Sequence, residues 1–564
     1  MKIFTDSGSS VTLTNKNFLA QGGEGQVFVS GKKAYKIYLD PKKAIDPLKI
    51  KELQALTAKS TIIRPLGALR NDRKRVIGYE MTKVPKGAIT ICEFSSRGYQ
   101  KTEGITLEKV AKLADQLREG VSFIHKNGVL IVDLNEMNLL LREGVIYYID
   151  VDSYQTPHFP ATAIMEHVRD YQANKWTEGS DWFSWGIITF QMFTGTHPFK
   201  GRHPKFGKRD LIGRMQKSVS VFNRDAKLPR NCIPLDSLPG GYRAWAKAVF
   251  EEGKRVPPPA GLTISGPIPT FAPQMAKSTK AIQISQLAKA NSRVTDFFSA
   301  NGIDIVITET GTLINGRAYP IQPQKGPVGR AVVALDERLS APISAAIVGD
   351  HLVILRLTDG ARTELDLNAE LVFRSGARLN IKTKQGTVLE LKSLGVNNYT
   401  TKVIANVMPR SSRVVGEALL YEAFGQWFLV TTPREGESYQ VKLPELEKKK
   451  IITAKYQRKI LMVTVSDKGK FSRHVFRFDE KFTSYDNWEE KDIQPAALSF
   501  VSLPTGICAL LNEDNKLELF QATIGGARKL IDDDQALPPG TMLGAFGMNV
   551  AFADGLEVKK VSTK

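Results

Sequence analysis

VDLNEMNLLLREGVIYYIDVDSYQ, residues 132–155, opens with an aspartate and two asparagines, runs through a leucine cluster and a glycine, and closes on Asp150 and Asp152. Asp and Asn favour turns because their short side chains bond the local backbone and tolerate left-handed conformations. Taken alone, VDLNEMN reads as a solvated turn. The apolar run 139–141 and the run 146–149 predict two strands joined at Gly144, and a hairpin of this kind brings Asn138 and Asp150 to one end. A carboxylate beside an amide oxygen suits magnesium, which binds hard oxygens together with substrate phosphates. Asp133 is then free of the metal and available to accept the proton of an alcohol.

Upstream, LAQGGEGQVFVSGKKAYKIY (residues 19–38) sets Gly22, Gly23 and Gly25 in a turn between two strand-like runs. Without side chains, these residues let backbone N–H groups approach a polyphosphate closely. Val27 follows Gly25 by two, and Ala34 and Lys36 are two apart, hence on one strand face. That face offers a small residue to a flat base and an ammonium to phosphates. PKKAIDPLKIKELQALTAKS (residues 41–60) has helical spacing at Leu48, Leu53 and Leu56, with Glu52 placed to pair with Lys36. TLEKVAKLADQLREGVSFIHKNG (residues 106–128) predicts a long helix between an N-cap at Thr106 and a C-terminal glycine at Gly128. WFSWGIITFQMF (residues 182–193) predicts a buried helix, and Trp182, Trp185 and Trp245 are assigned to a helical core. The order of patterns gives a small β-rich lobe over about residues 1–84 and a helical lobe over about 85–262.

The texture changes at VPPPAGLTISGPIPTFAPQ (residues 256–274), where proline and glycine cluster and periodicity stops, so a linker is placed at residues 263–290. Residues 291–564 then contain seven hairpin patterns with Gly, Asn or Asp at the turn: 304–321, 353–367, 380–394, 427–443, 461–478, 507–523 and 550–561. Seven hairpins in one stretch predict an all-β repeat region. A β-propeller is the first expectation and a pair of β-sandwiches the second.

Composition bounds the rest. A chain of 564 residues exceeds a single core. No apolar run approaches the roughly 20 residues needed to span a bilayer. MKIFTDSGSS at the N-terminus has no secretory pattern, and Cys92, Cys232 and Cys508 are too far apart for a metal or disulfide framework, so the reading is a cytoplasmic chain. The net charge of +20 is uneven: residues 1–262 hold 40 Lys and Arg against 26 Asp and Glu. Such an excess suits acidic partners or a solvated basic face; nucleic acid is the weaker expectation because no arginine-rich tail or aromatic-basic pattern accompanies it.

A glycine loop, Ala-x-Lys, a helix glutamate, Asp-x-x-x-x-Asn and a strand-borne Asp occur in the order found in the protein kinase superfamily, which residues 15–260 resemble. Asp181 with Gly186, GTHPFKG (195–201) and GKRVPP (253–258) add to the resemblance. IDVDSYQ with DWFSWG and HPFKG is most similar to bacterial and phage kinases associated with tellurite-resistance-type operons. The resemblance implies an α+β bilobal kinase fold, ATP and Mg2+ as cofactors, a protein substrate with Ser/Thr hydroxyls, and a bacterial or phage-infected cell as the setting. By the same resemblance, Lys36 pairs the phosphates, Glu52 holds Lys36, Asp133 is the catalytic base, and Asn138 and Asp150 bind the metal. Val27, Ala34 and Leu140 flank adenine, and the segment Glu80 to Val84, with Glu80 and Met81 at its start, is the hinge that bonds the base through its backbone. The β-repeat region is expected to recruit a protein partner.

Departures from the pattern flank these groups. Ala20 replaces the first glycine, Ile131-Val132 replaces His-Arg, and Asn135, a candidate catalytic residue, stands where a lysine usually assists phosphoryl transfer. Asp152 replaces the glycine of Asp-Phe-Gly, either adding an oxygen near the metal or facing solvent. No Ala-Pro-Glu landmark is recognisable, and Glu166 and Asp170 both compete for its acid, with Arg255 as partner. Without the arginine before Asp133, control by activation-loop phosphorylation is not expected. These departures also motivate an alternative: a pseudokinase adaptor whose β-repeat region carries the function.

Overall fold

Residues 1–82 lay down one mixed-order antiparallel sheet in a computed structural model that describes all residues except 163, 208–209, 230–231, 263–275, 324, 327–328, 337, 468 and 494–497. Its strands are β1 (Lys2–Thr5), β2 (Ser10–Thr12), β3 (Phe18–Gln21), β4 (Gly25–Ser30), β5 (Lys33–Tyr38), β6 (Gly67–Arg70) and β7 (Val76–Thr82), in the order β2-β1-β6-β7-β5-β4-β3. A second, three-stranded sheet joins β8 (Ile89–Thr90), β9 (Leu139–Arg142) and β10 (Val145–Tyr148). The predicted hairpin is this β9–β10 pair, with Leu139 opposite Tyr148.

Helices fill the remainder of this region: α1 (Pro47–Leu53), α2 (Ile91–Phe94), α3 (Arg97–Thr102), α4 (Leu107–Lys126), α5 (Glu178–Thr194), α6 (Leu211–Gln216) and α7 (Gly240–Phe250). Helix α4 starts where the sequence predicts, with the Thr106 hydroxyl accepting the Lys109 N–H at 3.3 Å. Helix α5 carries apolar residues on every side and is buried along nearly its whole length. It ends at Gly195, whose φ of +72° is the left-handed turn that glycine adopts without penalty. Trp182, Trp185 and Trp245 all join the core around it, as the sequence indicates.

The chain divides into two compact units, one of residues 1–273 with 466–472 and 491–497, the other of the remaining residues. Among the described residues the second unit contains seven four-stranded antiparallel sheets, and each of the seven predicted hairpins falls in a different one. Six sheets use four consecutive strands, from Val294–Ala300 in the first to Arg528–Ile531 in the sixth. The seventh is composite: Ile282–Lys289 pairs with Glu557–Thr563, which continues to Asn549–Asp554 and Gly544–Phe546. Sealing the first strand against the last closes the repeat into a ring and leaves no terminal blade edge, the arrangement of a β-propeller. Two packed sandwiches would not need this closure.

The linker boundary is corrected by the same strand. Residues 282–289, assigned to the linker, are part of the closing sheet, and residues 263–275 lie outside the described residues. The proline-rich composition to their left masked a strand whose alternation is weak, because Ile282 and Ile284 face the core while Gln283, Ser285 and Gln286 do not. No helix among the described residues is long and apolar enough to cross a membrane.

Candidate active site

Strand β5 lies between β4 and β7, with Lys36 opposite Val27 on one side and Tyr79 on the other. Ala34, Lys36 and Tyr38 alternate onto one face, and directly opposed residues of an antiparallel pair share a face, so Tyr79 joins them. This face carries the Lys36 ammonium, which is buried. Lys36 Nζ donates to Asp150 Oδ1 at 2.9 Å and to Asp152 Oδ2 at 2.7 Å, while Glu24 Oε2 in the glycine loop is 4.0 Å away. Burial works against the charged form of Lys36, but the two carboxylates outweigh it and hold the ammonium well above the ordinary lysine value.

Asp152 neither faces solvent nor stands open to a metal. Its side chain is buried and accepts from Lys36 Nζ, from Tyr38 OH at 2.6 Å and from Tyr79 OH at 2.7 Å. Burial raises its pKa, but Lys36 and the two phenols lower it further, so the carboxyl is held below the usual range. Asp150, two residues earlier, is different in kind: its side chain is 38% exposed and, among the described residues, hydrogen-bonds only Lys36. Its backbone has a φ of +61°, a strained conformation for a non-glycine residue.

Glu52 does not pair with Lys36, and the reason is helix phase. Leu48, on the face of Glu52 one turn earlier, is 59% exposed, whereas Lys49, Ile50 and Leu53 are buried. Reading Leu48 as a core residue rotated α1 by about one position, roughly 100°. The inward face thus carries Lys49, whose Nζ donates to the Asp152 backbone O at 2.7 Å. Glu52 binds His158 instead. The helix contributes a lysine to this site where the family pattern has an acid.

The loop 132–138 is organised from below by α5. Asp181 is buried and accepts the backbone N–H groups of Ile131 and Val132, each at 2.8 Å, together with His125 Nε2 at 2.9 Å. These bonds hold Val132 at a φ of +63°, rare for a β-branched residue. Asp133 then projects its carboxylate, with Oδ1 accepting the Met165 N–H at 2.8 Å and Oδ2 facing Asn138 Nδ2 at 3.4 Å. Burial pushes its pKa above the ordinary aspartate value, and the Met165 N–H only partly offsets this. A raised carboxyl in a cleft is suited to exchange a proton.

Asn135, the other residue expected to act in chemistry, is turned away from the cleft. Its amide donates to the Asp133 backbone O at 3.1 Å and its Oδ1 accepts from Met137 N and Asn138 N, so it braces the loop as an Asx turn does. Complete burial removes it from any ligand. Asn138 is brought to Asp150 as the hairpin predicts: the Ile149 N–H donates to the Asn138 backbone O at 3.0 Å.

The nucleotide side is built from loop and sheet. Gly22 N–H bonds Gly25 O at 2.8 Å, closing a tight turn in which Gly22 and Gly23 are exposed and uncrowded. Gly25 is packed: a Cβ there would lie 2.8 Å from the Ile37 backbone O. Val27, Leu140 and Met81 are half-buried and Ala34 is buried. Glu80 is occupied, since its carboxylate pairs with Lys33 at 2.6 Å and its backbone O accepts from Leu66 N at 2.7 Å.

Of the two acids competing for Arg255, Asp170 wins. Its carboxylate, 1% exposed, takes a two-pronged bond from the guanidinium, with Nη2 to Oδ1 at 2.7 Å. Glu166 is largely exposed. The sequence reading missed Tyr38, Tyr79 and Lys49. Tyr38 was within reach, because it is two residues beyond Lys36 on the same strand; Tyr79 depends on which strand pairs with β5, which composition does not reveal.

Residues 29–237 match the protein kinase domain family. Curated relatives include ribosomal protein S6 kinase 2 beta of Xenopus laevis, 28% identical over 18% of this chain and 17% of its own length. Protein kinase C of Aspergillus fumigatus is 24% identical over 29% of this chain and 17% of its own. G protein-coupled receptor kinase 2 of Drosophila melanogaster is 26% identical over 22% of this chain and 19% of its own. The chain spans less than a fifth of the length of these relatives, and the likeness concerns the kinase region.

Proposed function

We propose that the first unit is an ATP- and magnesium-dependent protein kinase that phosphorylates Ser/Thr hydroxyls, and that the β-repeat region recruits a protein substrate or partner. The observation that carries this reading is the convergence of Lys36, Asp133, Asn138 and Asp150 on one cleft below a glycine loop, in a region matching the kinase family. Gly22, Gly23 and Gly25 receive the phosphates, Val27, Ala34 and Leu140 enclose the base, and Met81 opens the hinge. Asn138 and Asp150 offer an amide and a carboxylate, a donor set that fits magnesium. Magnesium, when bound there, neutralises charge on the phosphates. Asp133 takes the proton from the substrate hydroxyl, and its elevated pKa makes it a stronger base than a solvated aspartate. Lys36 positions the phosphates from the sheet side.

The finer placement among bacterial or phage kinases of the tellurite-resistance type rests on IDVDSYQ together with DWFSWG and HPFKG and belongs to the same proposal. The inward turn of Asn135, which leaves loop 132–138 without a cation for the transferring phosphoryl group, favours a second reading as a pseudokinase adaptor. A single assay separates them. The purified chain is incubated with labelled ATP, magnesium and a lysate beside Asp133→Ala and Asp150→Ala chains. Label on protein from the unaltered chain alone supports the kinase; equal labelling by all three sinks it. Label in a nucleotide or RNA fraction would reassign the acceptor.

A further inference from the structure

Lys36 has two carboxylate partners of unequal character. Asp150 is partly exposed, and among the described residues its side chain hydrogen-bonds no group but Lys36. Asp152 is enclosed and receives three donors, two of them phenols that stand on the same sheet as Lys36. Both tyrosine rings also lie near the ammonium, at 5.4 and 5.7 Å from their centroids. Lys49 of α1 reaches the same residue through its backbone O. The helix acid expected in this role, Glu52, is half-buried and engaged with His158.

We infer that Asp152, locked by Tyr38 and Tyr79, is the permanent positioning partner of Lys36, and that α1 supplies no acid that could engage or release the lysine. This rests on the kinase reading and specifies its regulation. Asp150 is the exchangeable partner, able to leave Lys36 for a metal while Asp152 keeps the ammonium in place. The rigid sheet supplies the counter-ion's anchors, so lysine positioning is a fixed property of the fold. A helix swing that breaks a lysine–glutamate pair has nothing to break here, and Lys49 ties α1 to the Asp152 backbone. The lost His-Arg pair at Ile131-Val132 is consistent with such a site, because a lysine that is always held needs no phosphorylation event to place it.

The test measures kcat, KM for ATP and thermal melting for full-length Asp152→Asn, Glu52→Gln and the double variant Tyr38→Phe with Tyr79→Phe. Rates are taken below each variant's melting transition. Asp152→Asn is expected to lower kcat at least about tenfold with KM for ATP changed by less than about threefold, the pattern of a lost transition-state interaction. Glu52→Gln should retain kcat, and the double tyrosine variant should fall between. The phenol variant keeps the question open to experiment should Asp152→Asn fail to fold. A role limited to stability would lower the melting temperature and leave kcat intact, overturning the inference. So would a loss in Glu52→Gln equal to that in Asp152→Asn. An unaltered chain that transfers no phosphate refutes the kinase reading itself, and the inference with it; full transfer by the unaltered chain with unimpaired Asp152 and tyrosine variants refutes the inference alone.

Discussion

Asp181 Oδ1 accepts the backbone N–H of Val132 at 2.8 Å, and this bond sets the conformation of the residue immediately before Asp133. A buried carboxylate at the start of α5 thereby holds a β-branched residue in the left-handed region, at a cost of about 1–3 kcal/mol. Asp181→Asn replaces one charged acceptor with an amide that can face the same N–H groups with hydrogens. It should destabilise the chain by roughly 2–3 kcal/mol, and phosphotransfer should fall further than folding explains. Denaturant melts paired with rates at low temperature check both; unchanged rates in a destabilised chain would separate Asp181 from the positioning of Asp133.

Asp133→Asn removes the proton acceptor while keeping the size and the bond to Met165 N. Phosphotransfer should drop roughly 10²- to 10⁴-fold, with ATP binding by calorimetry unaltered. The pH profile follows from the sign of its shift. Only the ionised carboxylate accepts a proton, so the rate falls as pH drops through a pKa raised above the ordinary 3.8. An acid limb at or below that value would contradict the buried environment.

Glu136 of loop 132–138 forms a buried pair with His167, whose Nε2 is 3.0 Å from both carboxylate oxygens. Burial opposes both charges, but each partner outweighs it: His167 is raised above its ordinary 6.5 and Glu136 is lowered below its ordinary 4.5. The histidine contribution is complete below pH 6.5 and is lost as pH rises through its raised folded value. The glutamate contribution is complete above pH 4.5 and is lost as pH falls through its lowered folded value. Stability from the pair is therefore greatest between these limits. Glu136→Gln should cost about 3–5 kcal/mol in that window and flatten the decline in melting temperature on its alkaline side. An identical pH dependence in the variant would show that the pair does not titrate with folding.

Gly186 lies where α5 meets α7. A Cβ there would sit 2.9 Å from Trp245 Cη2 and 3.1 Å from Phe250 Cζ, both on rigid rings in the core. Gly186→Ala should destabilise the chain by about 1–3 kcal/mol through overpacking, despite the better helix propensity of alanine. A stabilised variant would mean that the rings move freely.

In the second unit, a chain ending before residue 557 leaves Ile282–Lys289 without the strand that pairs with it. The ring would be open at the composite sheet, and its buried residues Val558 and Val561 would be lost from the core. Such a chain should lose the β-region's cooperative transition in calorimetry. Survival of that transition would argue that the sheets are stable without closure.

Much of the kinase region was legible because its signals are local. The β9–β10 hairpin, the Thr106 cap, the apolar run of α5 and the glycine turn are each written in neighbouring residues. The seven hairpins were legible for the same reason, since turn residues and alternation lie within a single hairpin. The hairpin spacing placed Asn138 beside Asp150, whereas the approach of Lys36 to Asp150 was implied by the resemblance to the kinase superfamily. The closing strand at Ile282–Lys289 was hidden, because its partner lies at the opposite end of the region and its own alternation is weak. Composition could not reveal a pairing between segments so far apart.

The sequence by itself determined which residue types are available and which short segments carry them: a lysine on a strand, an aspartate loop, a strand-borne aspartate, and repeated hairpins. Only the tertiary structure decided which carboxylate holds the lysine. One residue of helix phase gave Glu52 to His158 and Lys49 to the Asp152 backbone, while Tyr38 and Tyr79, from strands paired in space, converted Asp152 from an apparent departure into the enclosed partner of Lys36. The reason is physical. A buried charge is stable only where several donors converge on it, and convergence is a property of packed elements that no local pattern contains.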